Sequence, residues 1–458
     1  MVLSLAGWGT LSACDPGAQG AVRAGEIVYA EPQPPVRDPD APGLPAPFDR
    51  EATYHRTLHV HPDGDDAVGD GTPDAPFATA TRAVQAAVPG TRILLAPGRH
   101  APIGSIRDLR GEPDAPIAII GAEGSIIDGR LTDEVMAGLH LSNPSYVVLQ
   151  GLAVENAYPH GISIDDGGDY ATPAGPVILR GLALRNIGRG KNNDCLKLSG
   201  VDDFQVLESE FAHCDEGEAI DMVGCHRGFI SGNTFRKTPL TAVQTKGGSS
   251  DIVIHGNRFI EVTARSVNLG GHTGRSYFRP LDAPYEAARI QVLSNIFYRS
   301  GDAAIAFTGC IECLAAHNTI IDPQGHVLRL LEEHPDRAIG RDNRFLNNLI
   351  TFKAGRLKGF VTLGENARPE TFQLGWNLWH ARDRDKFQGP EYDRRFAPEE
   401  SPIYGIAPAF VDPAPGDYRL QPQSPASNAG KSDIGSSLPD FHGLPFRQPP
   451  AIGAHSVP

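Results

Sequence analysis

Clustered carboxylates are the first residues in this chain whose types and spacing could do chemistry. Five are candidates for one site: Asp194, Asp215, Glu216, Glu218 and Asp221. Four of them fall within seven residues, and carboxylates so close repel one another unless a cation neutralises them. Oxygen ligands of this kind suit Ca²⁺, so the pattern predicts a calcium site. The alternative is a solvated acidic turn in which Lys197 pairs with Asp221.

Lys246 is the second chemical feature, because two glycines follow it directly. An amine beside a bound cation can catalyse β-elimination on a uronic-acid polymer. The cation neutralises the C6 carboxylate of the sugar, the lysine takes the C5 proton, and the 4-O-linked sugar leaves. Lys246 is therefore the predicted base, and Gly247 and Gly248 are expected to keep the surface beside it clear. The alternative is an ordinary lysine solvated at a strand end.

Further polar residues are expected on the same face as Lys246. The residues predicted to bind an acidic polysaccharide are Lys197, Gln244, Asn268, His272, Arg275, Tyr277 and Arg279. The last four lie in GGHTGRSYFRP, a loop expected to leave that face. Arginine and tyrosine can hold sugar carboxylates or protonate a leaving group, and Arg265 is the second predicted catalytic residue, as a proton donor. The alternative is a loop merely folded over the sheet.

A repeat indicates the elements that must position these side chains. Five segments align: DCLKLSG, EAIDMVG, TAVQTKG, RSVNLGG and AAIAFTG. The first three steps between them are 24, 23 and 24 residues, and the fourth is longer because of an insertion at 277–289. Alternate side chains of a strand face opposite sides. One outward row is therefore expected to contain Lys197, Asp221, Gln244 and Asn268, with Lys246 in the row beside it.

One asparagine per repeat recurs at a fixed place in a second strand. The residues are Asn233, Asn257, Asn295, Asn318, Asn348 and Asn377. A stacked asparagine ladder requires this spacing, because each amide bonds to the next coil. Two or three short strands per repeat without intervening helices are typical of a parallel β-helix, so the sequence predicts an all-β right-handed parallel β-helix, a solenoid with an N-terminal capping helix.

The remaining chain divides by composition. Residues 1–14 end in a Cys14 that fits a bacterial lipoprotein signal, the alternative being an ordinary or truncated signal; either predicts a secreted, periplasmic or cell-surface lipid-anchored protein. Residues 15–50 are rich in proline, alanine and glycine and are predicted to be a flexible tether. Residues 51–130 should start the solenoid, with an amphipathic helix at 77–88; residues 131–400 form the coils with the active face, and 401–458 the C-terminal end.

Charge and composition exclude some partners. The net charge of -14 argues against nucleic-acid binding, which rests on basic surface. The interior of the sequence contains no apolar run of about 18 residues, so no transmembrane span is predicted. The protein is expected to be a monomer. Beyond Cys14, five cysteines are expected to be buried thiols, with a disulfide between Cys310 and Cys313 as the alternative.

The chain resembles a known group over nearly all of its length after the tether. The segments that carry the resemblance are HVHPDGDDAVGDGTPDAPFATATRAVQAAVPG, RILLAPGRH, the asparagine coils and the tail AFVDPAPGDYRLQPQSPASNAG. Together they resemble the secreted bacterial right-handed β-helix proteins. That group includes lyases, hydrolases, epimerases and domains without known activity, so the resemblance implies the fold and leaves the function open.

Two lyase families within that group resemble the site coils. TAVQTKGGSSDIVIHGNRF is similar to the lysine coil of the chondroitinase B and alginate lyase family, and Lys246 falls on that family's base. The chain departs from the family at Pro239 and Thr241, where acidic metal ligands are expected, and one coil later, where Arg-His-Gly is expected. EGEAIDMV resembles the calcium-binding cluster of the β-helix pectate lyases. The resemblance implies a base two residues before Lys246, so Lys246 is displaced from that family's position.

The resemblance and the residues together predict a polysaccharide lyase with a lysine base and Ca²⁺. A glycoside hydrolase is the main alternative, because Glu218, Asp221, Asp194 and Asp215 could supply its paired carboxylates. A C5-epimerase would share the proton abstraction and return the proton to the opposite face. A non-catalytic carbohydrate-binding solenoid, with the acidic face holding Ca²⁺ for rigidity, is the third alternative.

Overall fold

Three long parallel β-sheets form the body of the protein, and successive coils add strands to the same three sheets. The computed structural model describes residues 29–33, 41–132, 137–188, 193–333, 340–414, 416–434 and 438–457. The first sheet comprises Arg56–Val60, Thr91–Leu95, Ile117–Gly121, Val147–Gln150, Val177–Arg180, Phe204–Leu207, Phe229–Ser231, Val253–His255, Gln291–Leu293, Leu314–Ala316, Arg344–Leu346 and Gln373–Gly375.

The second sheet carries the predicted active face. Its strands are Ser105–Arg107, Ala137–Ser142, His160–Asp165, Leu196–Ser199, Ile220–Val223, Val243–Lys246, Arg265–Gly270, Ala303–Thr308, His326–Leu331 and Gly359–Leu363. The third sheet comprises Gly98–His100, Ser125–Asp128, Ala153–Glu155, Ala183–Ile187, Glu210–Cys214, Thr234–Arg236, Arg258–Ile260, Ile296–Tyr298, Thr319–Ile321, Leu349–Phe352, Leu378–Ala381 and Ile403–Tyr404.

Smaller elements decorate this solenoid. Three two-residue strands, Ser249–Ser250, Ala287–Ala288 and Cys310–Ile311, form a short parallel sheet, and Phe410–Asp412 pairs with Asp417–Leu420 in an antiparallel ribbon. Single 3₁₀ turns lie at Gly129–Leu131, Arg275–Tyr277, Ala354–Arg356 and Pro369–Thr371. In the described parts of the chain, no helix is long and apolar enough to cross a membrane.

The apolar positions of the repeat form the core. Leu196, Ile220, Val243, Val267 and Ile305 pair in register along the second sheet, and all five side chains are fully buried. A period-two pattern fixes this register, because a one-residue slip would send each apolar side chain to the outer face. The predicted stack of parallel coils is confirmed. The right-handed sense of the coils stays a prediction.

The asparagine ladder is confirmed at all six predicted positions. Asn257 shows the arrangement of one rung: its Nδ2 donates to the backbone oxygen of Ile230, while its Oδ1 accepts from the backbone N–H of Asn233 at 2.9 Å. The same contacts continue through the later coils to Asn377. Because these amides are fully buried, leaving a partner unsatisfied would cost about 1–3 kcal/mol per group. The ladder therefore fixes the spacing of the coils.

The helix near the N-terminus is shorter than the predicted span 77–88. It covers Ala80–Gln85, and Thr79 caps it by accepting the backbone N–H of Arg82. Its buried residues Ala80, Ala83 and Val84 join the main hydrophobic core beside the first two strands of the first sheet. The role of this helix as an end cap stays a prediction.

Parts of the predicted tether pack against the solenoid. Tyr29 is buried and stacks on Tyr418, and Glu31 forms an ion pair with Arg236. Asp49 likewise accepts hydrogen bonds from Arg180. These aromatic and charged residues interrupt the proline-rich composition and give residues 29–33 and 41–50 contacts that a loose tether would lack. Cys14 and the proposed signal lie outside the described residues.

One pair of cysteines departs from the expectation of buried thiols. Cys195 and Cys214 form a disulfide, with Cα atoms 5.4 Å apart, between the second and third sheets. Cys225, Cys310 and Cys313 are free and buried, so the alternative disulfide between the last two is not formed. Because Cys195 directly follows Asp194 and precedes the strand Leu196–Ser199, the bond stabilises one edge of the acidic cluster.

Candidate active site

The outward rows of the second sheet have the predicted register. Lys197 pairs with Asp221, Asp221 with Gln244, and Gln244 with Asn268 on successive coils. Lys246 pairs with Val223 in the neighbouring row. The sheet therefore sets adjacent side chains of a row about 4.8 Å apart, as the sequence predicts.

Three of the five predicted metal ligands come together. Oxygen atoms of Asp194, Glu218 and Asp221 all lie within 4.8 Å of one another, and this acidic cluster could hold a metal ion. Asp194 and Asp221 are buried, whereas Glu218 is half-buried. Asp215 and Glu216 are exposed on the preceding turn and lie outside the acidic cluster.

Two lysines place their amines on the same buried carboxylate. The Nζ of Lys246 lies 3.0 Å from Oδ1 of Asp221, and the Nζ of Lys197 contacts the other oxygen of Asp221 and lies 3.5 Å from Asp194. Burial raises the pKa of Asp221, but the charges of Lys197 and Lys246 outweigh it and hold that pKa below its ordinary value. Burial lowers the pKa of Lys197, but the carboxylates of Asp221 and Asp194 outweigh it and raise that pKa. Asp221 is therefore the common counterion of two ammonium groups.

Glu218 has the opposite electrostatic environment. Burial, together with the negative charges of Asp221 and Asp194, raises the pKa of Glu218 to about 8. Its backbone N–H also donates to Oδ1 of Asp194 at 3.0 Å, which fixes the spacing of the two residues. Glu218 therefore keeps its proton to a higher pH than an ordinary carboxyl group, and in that form it can donate a hydrogen bond.

The contacts of Lys197 bear on whether this cluster fits Ca²⁺. Three carboxylates in close contact are a suitable set of hard oxygen ligands, but Ca²⁺ takes six to eight. The ammonium of Lys197 already touches two of the three, so it supplies the positive charge that the sequence assigned to a metal. A calcium ion bound to these three carboxylates would lie directly against this ammonium, so Lys197 would have to move away for the ion to bind.

A groove of about 850 Å³ runs across the cluster. Eight predicted site residues line it: Asp194, Lys197, Glu218, Asp221, Lys246, His272, Tyr277 and Arg279. Residues that sequence reasoning missed also line it: Arg107, His140, His160, Asp165, Asp166 and Tyr170. Most of these lie on the coils before Asp194. The strand HGISID repeats the same alternation one coil earlier and pairs in register with Leu196–Ser199, so this signal could have revealed them.

His160 adds a neutral hydrogen-bond donor to the groove. Its Nδ1 accepts the backbone N–H of Asp194 at 3.0 Å, so the neutral ring carries its proton on Nε2. Burial lowers the pKa of His160 and favours that neutral form, although the charge of Asp194 acts in the other direction. The imidazole can therefore donate to a sugar oxygen without adding a charge.

The two glycines after Lys246 allow a neighbouring loop to approach the sheet closely. Gly247 and Gly248 adopt φ values of +64° and +89°, a left-handed turn that favours glycine. A Cβ on Gly248 would lie 2.4 Å from the carbonyl oxygen of Arg279, so this position must be glycine for the loop at 270–280 to approach. The buried carboxylate of Glu286 fastens that loop by accepting N–H bonds from Gly247 and Thr273. The glycines thus bring the loop over the groove.

Arg279 is held within the protein. Its guanidinium donates to both oxygens of Asp166 and lies 3.8 Å above the ring of Tyr170. The Arg279 and Asp166 side chains are only 10% and 1% exposed. Arg279 therefore anchors the loop at 270–280 to an earlier coil, although its predicted role was substrate binding.

We expect Arg279→Ala to destabilise the protein by about 3–5 kcal/mol, because it leaves the buried carboxylate of Asp166 unpaired. Urea unfolding followed by circular dichroism measures this difference. Arg275→Ala is the control, since Arg275 lies on the same loop and is exposed. Equal stability of the two variants would show that the ion pair does not hold the loop.

Besides Asp215 and Glu216, four predicted residues do not line the groove. Arg265 pairs with Glu333 at 2.6 Å and lies 3.6 Å from Asp302, which occupies its guanidinium. Asn268 is buried and accepts a hydrogen bond from Thr308 while donating weakly to Gln244. Arg275 is exposed on the loop. The predicted roles of Arg265, Gln244, Asn268 and Arg275 stay predictions without a contact to the groove.

The strand pairing and the groove define a parallel β-solenoid with a charged cleft on its second sheet. No family model and no curated protein matches the chain. Solved structures that resemble it include pectate lyase Pel9A, at 14% identity over 88% of this chain and 96% of that one, with a TM-score of 0.44. An alginate lyase from Paenibacillus sp. str. FPU-7 matches at 17% identity over 68% and 97% of the two chains, TM-score 0.44. A glycoside hydrolase matches at 10% identity over 80% and 99%, TM-score 0.44.

Proposed function

We propose that the protein cleaves a uronic-acid-containing polysaccharide by β-elimination, with Lys246 as the base. The observation that carries this proposal is the convergence of two lysine amines on Asp221 at the floor of the groove. Asp221 is only 3% exposed, whereas the Lys197 and Lys246 side chains are 24% and 17% exposed. The groove thus presents ammonium groups and hides their counterion, which suits an anionic sugar.

The two lysines divide the chemistry between them. Lys197 contacts two carboxylates, remains charged, and pairs with the C6 carboxylate of the sugar, which makes the C5 proton more acidic. The amine of Lys246 pairs with Asp221 and acts as the base that accepts the C5 proton. The electrons of the C5–H bond form the C4–C5 double bond as the C4–O bond breaks. Tyr277, which is exposed and lines the groove, protonates the departing oxygen in this proposal.

The test is the appearance of an unsaturated uronate, followed by ultraviolet absorbance. Pectate, alginate and glycosaminoglycans form the substrate panel, because the structure identifies the charge of the sugar and not its ring. An increase in absorbance on one polymer supports the elimination. Cleavage that yields reducing ends without absorbance would contradict it and favour hydrolysis.

The calcium predicted from the sequence is not required by this mechanism. The ammonium of Lys197 already neutralises negative charge in the acidic cluster. We therefore expect turnover in the presence of a chelator to stay within about twofold of its original value. The measurement compares initial rates after exhaustive chelation with rates after calcium is added back. A loss of activity that calcium restores would return the metal to the mechanism and require Lys197 to move away from Asp221.

Glycoside hydrolysis is a second candidate, because one observation favours it. The pKa of Glu218 is raised to about 8 beside the carboxyl groups of Asp194 and Asp221, and paired carboxyl groups with different environments supply the acid and base of a hydrolase. However, Asp194 and Asp221 are only 2–3% exposed, and Lys197 covers both. Both line the groove, but neither can act as a nucleophile or base without displacing a lysine, so elimination is the better supported function.

A further inference from the structure

A second reactive group lies at the other end of the groove, on the first three strands of the second sheet. The side chains of Ser105, His140 and Asp165 face outward there, and two hydrogen bonds link them in that order. The Oγ of Ser105 lies 2.6 Å from Nδ1 of His140, and Nε2 of His140 lies 2.7 Å from Oδ2 of Asp165. The register of the sheet produces this chain of contacts, because Ser105 pairs directly with His140 on the adjacent strand.

The hydrogen bonds determine where the protons lie. Although burial raises the pKa of Asp165, hydrogen bonds from His140, Gly167 and Ser142 bring that pKa below its ordinary value, so the group is an ionised acceptor. The neutral imidazole of His140 must therefore donate from Nε2 and keep its lone pair on Nδ1. Ser105 then donates its hydroxyl proton to that lone pair. The serine hydroxyl thus faces a base that a carboxylate holds in the required tautomer.

The surroundings suit a nucleophile that meets a large substrate. Ser105 is exposed, and its strand forms one edge of the second sheet. His140 and Asp165 line the groove, and Asp165 is fixed by the hydroxyl of Ser142 at 2.9 Å and the N–H of Gly167 at 2.8 Å. Arg107, also a groove residue, projects from the same strand about 7 Å further along, two strand positions away.

We propose that Ser105, His140 and Asp165 form a serine esterase site that removes acyl groups, such as acetyl, from sugar hydroxyls. The arrangement of roles is that of the serine hydrolases, with the two imidazole nitrogens exchanged. This activity goes beyond the proposed elimination and uses none of the residues assigned to it. A polymer in the groove would meet both sites, because the strands of Ser105 and Lys246 are five coils apart in the same sheet.

The reaction requires only water as a co-reactant. Ser105 Oγ attacks the ester carbonyl as its proton passes to Nδ1 of His140, and Arg107 stabilises the negative oxygen. The intermediate expels the sugar alkoxide, which takes the proton from His140 and leaves an acyl group on Ser105. Water, deprotonated by His140, then attacks the acyl carbonyl. The carboxylic acid departs and the proton returns to Ser105.

The test uses 4-nitrophenyl acetate and a fluorophosphonate probe on the full chain. We expect wild type to release nitrophenolate and to bind the probe at Ser105, with loss of fluoride, as located by mass spectrometry of peptides. Ser105→Ala should lower ester hydrolysis by about 10²-fold or more and abolish labelling. His140→Gln should also abolish labelling of the intact serine. Ser163→Ala is the matched control, since Ser163 lies in the same outward row and pairs with His140 from the other side.

Either of two results overturns this proposal. One is a folded wild-type protein that hydrolyses no ester and takes up no probe; the other is ester hydrolysis that Ser105→Ala leaves unchanged. Circular dichroism establishes folding for each variant, and the exposed position of Ser105 keeps its substitution informative if His140→Gln unfolds. The aryl ester contains no uronate, so the outcome is independent of whether the protein is a lyase.

Discussion

Lys246→Arg is expected to lower the rate of β-elimination by about 10²–10⁴-fold, the usual contribution of a positioned base. Arginine keeps the positive charge beside Asp221 but stays protonated, so it preserves the ion pair and removes the base. Lys197→Arg should retain a larger part of the activity, because the role of Lys197 is to carry charge. Initial rates on the active polymer, followed by ultraviolet absorbance, measure both variants.

The comparison of the two arginine variants separates a base from a counterion. If Lys246 served only to neutralise Asp221 or the substrate, both variants would behave alike and Lys246→Arg would remain active. Lys246→Met provides the further case in which both charge and base are lost. Lys358→Met controls for the removal of a lysine, since Lys358 is exposed and lies outside the residues that line the groove.

The framework of this protein could be predicted because its rules are local and repeated. A side-chain period of two, together with a nearly constant step between copies, determines which residues share an outward row. The register of Lys197 with Asp221 and of Val223 with Lys246 follows from that arithmetic alone. The asparagine ladder follows for the same reason, because a buried amide at the same position in every coil can form its hydrogen bonds only with the adjacent coils.

The chemistry of the site was less predictable, because it depends on side-chain direction and on segments without a repeat. The turn after Cys214 carries Glu216 at a φ of +57°, and Asp215 and Glu216 lie exposed there, away from the acidic cluster. Whether Lys197 or a metal neutralises Asp194 likewise depends on where the flexible Lys197 side chain places its ammonium group. The inserted loop has no counterpart in other coils, so the burial of Arg279 against Asp166 had no signal in the sequence.

Glu218→Gln is expected to make the protein more stable than wild type at pH 8, by about 3 kcal/mol. The pKa of Glu218 is about 8 in the folded protein against an ordinary value of 4.5, because burial and the neighbouring aspartates oppose its charge. Between these two pH values the folded protein holds a proton that the unfolded chain has released, so this residue makes stability fall as pH rises. The full shift would correspond to about 5 kcal/mol, and the coupling of Glu218 to its neighbouring groups reduces it.

Urea unfolding of wild type and Glu218→Gln from pH 5 to pH 9 measures this effect as the difference between two curves. The difference should be small at pH 5 and should grow until about pH 8, where Glu218 ionises in the folded protein. Glu216→Gln is the control, because Glu216 is exposed on the adjacent turn and should give a flat difference. A flat difference for Glu218→Gln would mean that Glu218 is ionised at neutral pH. The acidic cluster would then need a cation besides Lys197 and Lys246, and a rise in wild-type stability on addition of calcium would identify it.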